Sequence, residues 1–423
     1  MSRLFALLPI LLVTACGGDD GGGGGNPDAA PDTADAAPDG PTEIELTTYV
    51  GGSVAPLELV AAQDGDGAWQ LLESDNGVYS FETAGRYGLA HVCMIDTAVE
   101  LHFSYATAAE ESSPTRTCPT NLAAEGTTVN VSVSNMAGDT QARVFVGHLS
   151  DFATVGDPNV ALTPLPAARY DAWATVRADG TTIDSAMVER DVQTSTDGPA
   201  AVAFDVDTDT FDTTDFSIEI DGAGDDTTEW GAYLWSTRRT LVNLAQPAVD
   251  TYAGFPASAL EDNDVHQVVV QAVNGDSTGF RATWSYAIDP ANVTLTLPPA
   301  FGDVSVDAVD TTPYVRVAMT WDAWEGATQY HLEIGQEGER TLFWEATDGW
   351  LGEAASYTWE QPDLGDLDGW TNGWALADNV EAAWFAGAHR SSIDPHLFDE
   401  PSPPADLDGM TRDLVRTLGS TTP

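Results

Sequence analysis

From Glu43 onward, apolar and polar residues alternate in short runs broken by Gly, Asp, Asn and Thr. Runs at 56–61, 67–72, 78–82, 87–95, 99–105 and 129–134 are rich in Val, Tyr, Phe and Thr. Successive side chains of a strand point to opposite faces, so this pattern predicts strands with one face buried. Recurrence about every 8–12 residues, with turn residues between, predicts an all-β chain of tandem sandwich modules. No window sustains the helical period of about 3.6 residues. A short helix is expected in one place, 408–418.

The runs group into four β segments. The first, 43–140, holds Cys93 and Cys118. The second, 141–228, opens with Gln141-Ala142-Arg143-Val144-Phe145-Val146 and has core strands at 169–176, 187–192, 201–206 and 216–220. The third, 229–297, has strands at 231–236, 265–272, 279–288 and 293–297. It is too small to stand alone and is expected to pack with the second, as one region 141–297. The fourth is 298–390, and 391–423 forms a C-terminal tail.

In the fourth segment, 315–321 alternates and ends on Trp321. Glu325-Gly326-Ala327-Thr328-Gln329-Tyr330-His331-Leu332-Glu333-Ile334 follows. This resembles strands B and C of a fibronectin type III domain, an Ig-like sandwich with a core Trp on B and a core Tyr on C. The resemblance implies core roles for Trp321 and Tyr330, and places 356–359 and Leu364 on and after strand E. The family's Tyr on strand F is missing, and 369–374 and 383–386 are Trp-rich instead. Arg169-Tyr170-Asp171-Ala172-Trp173-Ala174 loosely resembles a strand of carboxypeptidase-regulatory-like modules. Such folds carry many functions, so neither resemblance brings chemistry with it.

Ahead of the β segments the pattern changes. Met1-Ser2-Arg3 precedes ten almost wholly apolar residues, Leu4 to Val13. A membrane-spanning helix needs about 20. The shorter run predicts a cleavable signal peptide at 1–15. Val13-Thr14-Ala15-Cys16, followed by Gly17, resembles the bacterial lipobox. The resemblance implies cleavage before Cys16, diacylation of its thiol and acylation of the new amine. An ordinary secretory peptide is the alternative. One acyl chain holds only marginally, at about 0.8 kcal/mol per buried CH₂, whereas three anchor firmly. Residues 16–42 then read as the lipidated cysteine and a Gly/Asp/Ala/Pro tether. Nothing in 17–40 is aromatic or a large aliphatic, so ordering it would not be offset by burial. Its span is on the order of 30 Å. By resemblance to enterobacterial sorting, Gly17 in place of Asp implies an outer-membrane or cell-surface location. The whole chain resembles multi-module bacterial surface lipoproteins.

The formal net charge is −52, from 45 Asp and 22 Glu against 15 Arg and no Lys. Nucleic acid is thereby disfavoured as a partner, since binding it needs cations to neutralise phosphates. Docking of the folded part on anionic lipid is disfavoured for the same reason. The membrane is thus expected to be a partner through the N-terminal lipid alone, leaving a glycan or protein as the open ligand. The acidity fits either a haloadapted or calcium-exposed surface, or codon bias with a generic anionic exterior. Besides Cys16 the cysteines are Cys93 and Cys118, which in an exported chain read as a disulfide. The loop it closes corresponds to roughly 3 kcal/mol in the chain-entropy view. His91 and His102 flank Cys93, but a metal site needs more ligands than their spacing promises.

Three kinds of site remain as candidates. Asp205, Asp207, Asp209 and Asp212, with Asp215 close behind, form a carboxylate-rich loop of the sort that holds a structural calcium ion. The EF-hand pattern fails there, because Thr210 and Phe216 stand where Gly and Glu belong. Eight of the thirteen Trp lie between 321 and 384. Trp321 and Trp359 are assigned to the core, whereas Trp350, Trp370 and Trp374 lie beside Gly and Asp and are candidates for stacking on sugar rings. A glycosidase pair of carboxylates is neither supported nor excluded among 67 acids. No serine-hydrolase elbow, zinc-protease motif, P-loop or dinucleotide fingerprint occurs. The expected function is non-catalytic display for adhesion, binding or envelope organisation. A surface carbohydrate-binding protein is the alternative, and an acidic-site hydrolase the third reading.

Overall fold

The computed structural model describes residues 40–51, 53–95, 97–118, 126–177, 182–195, 198–246, 248–336, 339–391 and 407–423. The chain is all-β, and its strands assemble into several sheets. It divides into two compact units. Cys16 and the rest of the N-terminal 39 residues lie outside the described part.

The first unit takes the described residues up to 118 together with 302–388 and 418–423. Its N-terminal sheet centres on Thr42–Val50, which pairs antiparallel with Val78–Thr83 and Ser53–Val54 and parallel with Thr115–Cys118. Ile44 and Leu46 alternate with exposed Glu43 and Glu45, and they pack on Tyr79, Tyr87 and Leu89 in one core. A second sheet runs in the order Leu59–Asp64, Arg86–Ile95, Ala98–Thr107, Arg340–Thr347, Gln329–Gln336. The pairing of Ala98–Thr107 with Arg340–Thr347 is parallel, from Val99 opposite Arg340 to Tyr105 opposite Ala346. Residues some 240 apart in sequence are thereby joined in one sheet. The remaining sheet is Val304–Asp310, Arg316–Asp322, Ser356–Glu360. Trp321 is buried there, its ring 5.7 Å from Tyr330 and 5.1 Å from Trp344. Trp359 and Leu364 are buried as well.

The second unit takes described residues of 126–301 and 389–417. Thr127–Ser134 lies between Asn159–Leu165, antiparallel, and Ala200–Asp205, parallel. Its valines face the strands Gln141–Val146 and Arg169–Arg177 across a core that includes Val131, Val144 and Phe204. A second core draws Phe145, Trp173 and Ala186 together with Tyr252, Phe255 and Val268. Phe145, Trp173 and Ala186 of this core lie on the opposite face of the strands that carry the first.

One expectation is corrected. The segment around 408–418 is no helix: Thr411–Thr421 is a strand, and Gly279–Ser285 pairs antiparallel with its Thr411–Thr417 part. Leu414 and Val415 are buried there. Pairing supplies the backbone hydrogen bonds that an isolated short helix would have to make alone, and tertiary contact overrides the weak local preference.

Candidate functional site

The strands Arg86–Ile95 and Ala98–Thr107 form a hairpin that places the histidines. Its register sets His91 opposite His102 and Cys93 opposite Glu100. Residues two apart on a strand share a face, so His91 and Cys93 stand beside His102 and Glu100. The two imidazoles stack, with centroids 4.5 Å apart and planes 9° from parallel. Phe343, from the adjoining strand Arg340–Thr347, stacks on the other side of His102 at 4.5 Å. His102 Nε2 lies 3.2 Å from a Glu100 carboxylate oxygen. His91 is 3% exposed, and its Nδ1 has no hydrogen-bond partner among the described residues. Burial, then the neighbouring His102 and Arg116, hold His91 well below the ordinary imidazole range.

Cys93 and Cys118 are joined as a disulfide with their Cα atoms 5.4 Å apart. Arg116, two residues before Cys118 on the same strand, is buried and reaches Glu111 at 3.0 Å and Glu345 at 3.6 Å. Burial opposes its charge, but those carboxylates outweigh the burial and raise its pKa. Among the described residues, one group of three His, Cys or acidic side chains converges to within 4.8 Å: His91, Cys93 and His102. The His pair was legible in principle. Two strands ending at Ile95 and beginning at Ala98 can pair as a tight hairpin, and its register puts 91 across from 102.

The acidic loop is organised by its own backbone. The Asp205 N–H donates to Asp209 Oδ2 at 2.8 Å, and the Asp207 N–H donates to Asp205 Oδ1 at 2.9 Å. Asn135 Nδ2 donates to both Asp205 oxygens, at 2.8 and 2.9 Å. Asp212 sits on the short strand Phe211–Asp212, opposite Ser185. Asp215 accepts from Gln246 Nε2 at 2.6 Å. Beside Asn135, a cavity of about 270 Å³ is lined by Ser132, Val133, Met136, Val155 and Asn159.

The three tryptophans occupy two settings, and each is half-buried. Trp350 lies in the single turn Asp348–Leu351, whose N-terminus is capped by Thr347. Its ring packs 4.4 Å from Tyr105, and the Arg86 guanidinium covers it at 5.7 Å. Trp370 and Trp374 meet edge to face at 5.7 Å, and Trp370 rests on Tyr314 at 5.1 Å. Trp370 Nε1 donates to Asn372 Oδ1 at 3.1 Å. Ring contacts therefore join Trp370 to Trp374, and Trp350 to Tyr105.

No protein-family model matches the chain. No curated protein matches it either. Among solved structures, similarity is found to the Bacillus anthracis TIE protein, at 8% identity and a TM-score of 0.16, over 60% of this chain and 50% of that one. The chain thus spans about half the length of that protein. A tetra-tandem repeat from the extending region of a large adhesion protein matches at 11% identity and a TM-score of 0.17, over 90% of this chain and 99% of that one.

Proposed function

We propose that the protein is an exported lipoprotein that displays β-sandwich bodies at a membrane surface, for adhesion, binding or envelope organisation and without catalysis. One observation carries the reading. A Gly/Asp/Ala/Pro segment behind Cys16 gives way at Thr42 to a strand whose Ile44 and Leu46 are fully buried. Anchor, spacer and folded body in that order are what display requires, and a spacer without large apolar residues holds the body off the headgroups. The Cys93–Cys118 disulfide supports an oxidising compartment. Cell fractionation with external protease tests the reading. Wild type should pellet with membranes and be clipped in intact cells, and Cys16→Ser should leave the membrane fraction. A wild-type protein recovered soluble in the cytosol would contradict it.

A carbohydrate ligand is favoured by one feature. Trp370 and Trp374 form a half-buried aromatic corner, with the Asn372 amide held beside Trp370 by the indole N–H and the Pro313 carbonyl. Aromatic faces with a nearby amide suit sugar rings, whose C–H faces stack and whose hydroxyls hydrogen-bond. A glycan array on the full chain and on Trp374→Ala tests this. Signals that disappear in the variant support it, and a blank array with wild type ends it.

A further inference from the structure

We propose that His91, His102, Cys93 and Cys118 form a soft-metal site that the disulfide closes and reduction opens. The inference is independent of lipidation and of the display reading. It starts from the hairpin register, which sets His91 beside Cys93 and opposite His102. One ligand atom from each of these three residues already lies within 4.8 Å of the other two. Cys118 Sγ is bonded to Cys93 Sγ, so it stands at the same place.

The surroundings favour ligation over a purely structural role. His91 Nδ1 is buried and has no hydrogen-bond partner among the described residues. A buried polar atom without a partner is costly, and a metal ion would satisfy it. Glu100 contacts His102 Nε2 at 3.2 Å and so orients the ring, leaving the other nitrogen free to ligate. A carboxylate behind a histidine is the usual outer partner of a metal-binding imidazole. The Phe343 ring walls one side of His102. Two imidazoles and two thiolates make a tetrahedral set that suits Zn(II) or Cu(I).

The disulfide sets the condition. Both sulfurs bond to each other, and a thiolate, not a disulfide sulfur, is the metal ligand. An external dithiol opens the site by exchange. One thiolate attacks Sγ of the disulfide, a mixed disulfide forms, and the second thiolate displaces the protein sulfur. The dithiol is oxidised to its cyclic disulfide, and its two electrons and two protons leave Cys93 and Cys118 as thiols. A divalent ion then replaces those two protons, and two thiolates neutralise its charge.

Cobalt(II) spectroscopy on the full chain carrying Cys16→Ser tests the site, because Cys93 and Cys118 are then the only cysteines. The protein is reduced with a dithiol, desalted without oxygen and titrated with Co(II). One equivalent should bind with tetrahedral d–d bands and a thiolate charge-transfer band, and Zn(II) should displace it. The oxidised protein should show neither band. His91→Ala and His102→Ala should each weaken binding at least tenfold. Cys118→Ser frees Cys93 without any reductant and should bind Co(II) with a weaker charge-transfer band. Circular dichroism follows the fold in each preparation. The proposal is overturned if neither the reduced protein nor Cys118→Ser gives a thiolate band, or if both histidine variants bind as tightly as their parent.

Discussion

Arg190 sets Nη1 2.7 Å from Oδ2 of Asp171, a carboxylate that is completely buried. Its Nη2 reaches a second fully buried carboxylate, Asp264, at 2.6 Å. The guanidinium also lies over Trp173, 4.6 Å from the ring centroid. Burial alone would lower its pKa, but Asp264 and Asp171 outweigh that and raise it. One planar fork thus compensates two buried charges in the second unit, with Arg238 adding a contact to Asp171 at 3.2 Å.

Arg190→Met should therefore be severe. It leaves two buried carboxylates without their main partner, and breaking a buried pair costs about 3–5 kcal/mol. Arg190→Lys should recover only part of this, because an ammonium cannot bridge both acids as a fork does. Chemical denaturation of the three proteins measures it. A methionine variant within 1 kcal/mol of wild type would show that the network contributes little, since surface pairs reach about that value.

Acid should weaken the same unit through His266. Its Nε2 accepts from the Phe255 N–H at 3.4 Å, so Nδ1 carries the proton and donates to the Ile288 carbonyl at 2.9 Å. Protonation would set two N–H groups against each other. Burial lowers its pKa, and the Ile288 carbonyl, Asp264 and Asp289 offset this only in part. The unfolded imidazole titrates near 6.5. Below about that pH the unfolded state binds more protons, so stability is full above it and falls as pH drops. Melting temperatures from neutral to mildly acid pH should decline, and His266→Gln should flatten that decline. An identical slope in the variant would refute the assignment.

Salt should act in the opposite sense. The chain carries 67 acids against 15 Arg, so most carboxylates face other negative charges. The screening length shrinks from about 10 Å at 0.1 M salt to about 3 Å at 1 M. The melting temperature should rise across that range. A flat profile would remove the halophile reading of the composition.

How far the sequence carried these conclusions depends on locality. Thr127–Ser134 reads Thr-Thr-Val-Asn-Val-Ser-Val-Ser, and its buried positions alternate as the letters do. The resemblance to a fibronectin type III domain implied core roles for Trp321 and Tyr330, and both are buried with their rings 5.7 Å apart. Thr411–Thr421 was not legible, because Leu414 and Val415 are adjacent buried residues and break the alternation. The parallel pairing of Val99 with Arg340 has no local signal at all. The histidine pair needed one further step. Both strands were visible, but only their register across a tight turn brings His91 to His102.

Mass spectrometry of the mature N-terminus tests the lipid anchor on Cys16 most directly. Protein extracted from membranes with detergent should yield an N-terminal peptide that begins at Cys16 and carries three acyl chains. An unmodified peptide, or one that begins at any other residue, would contradict the account.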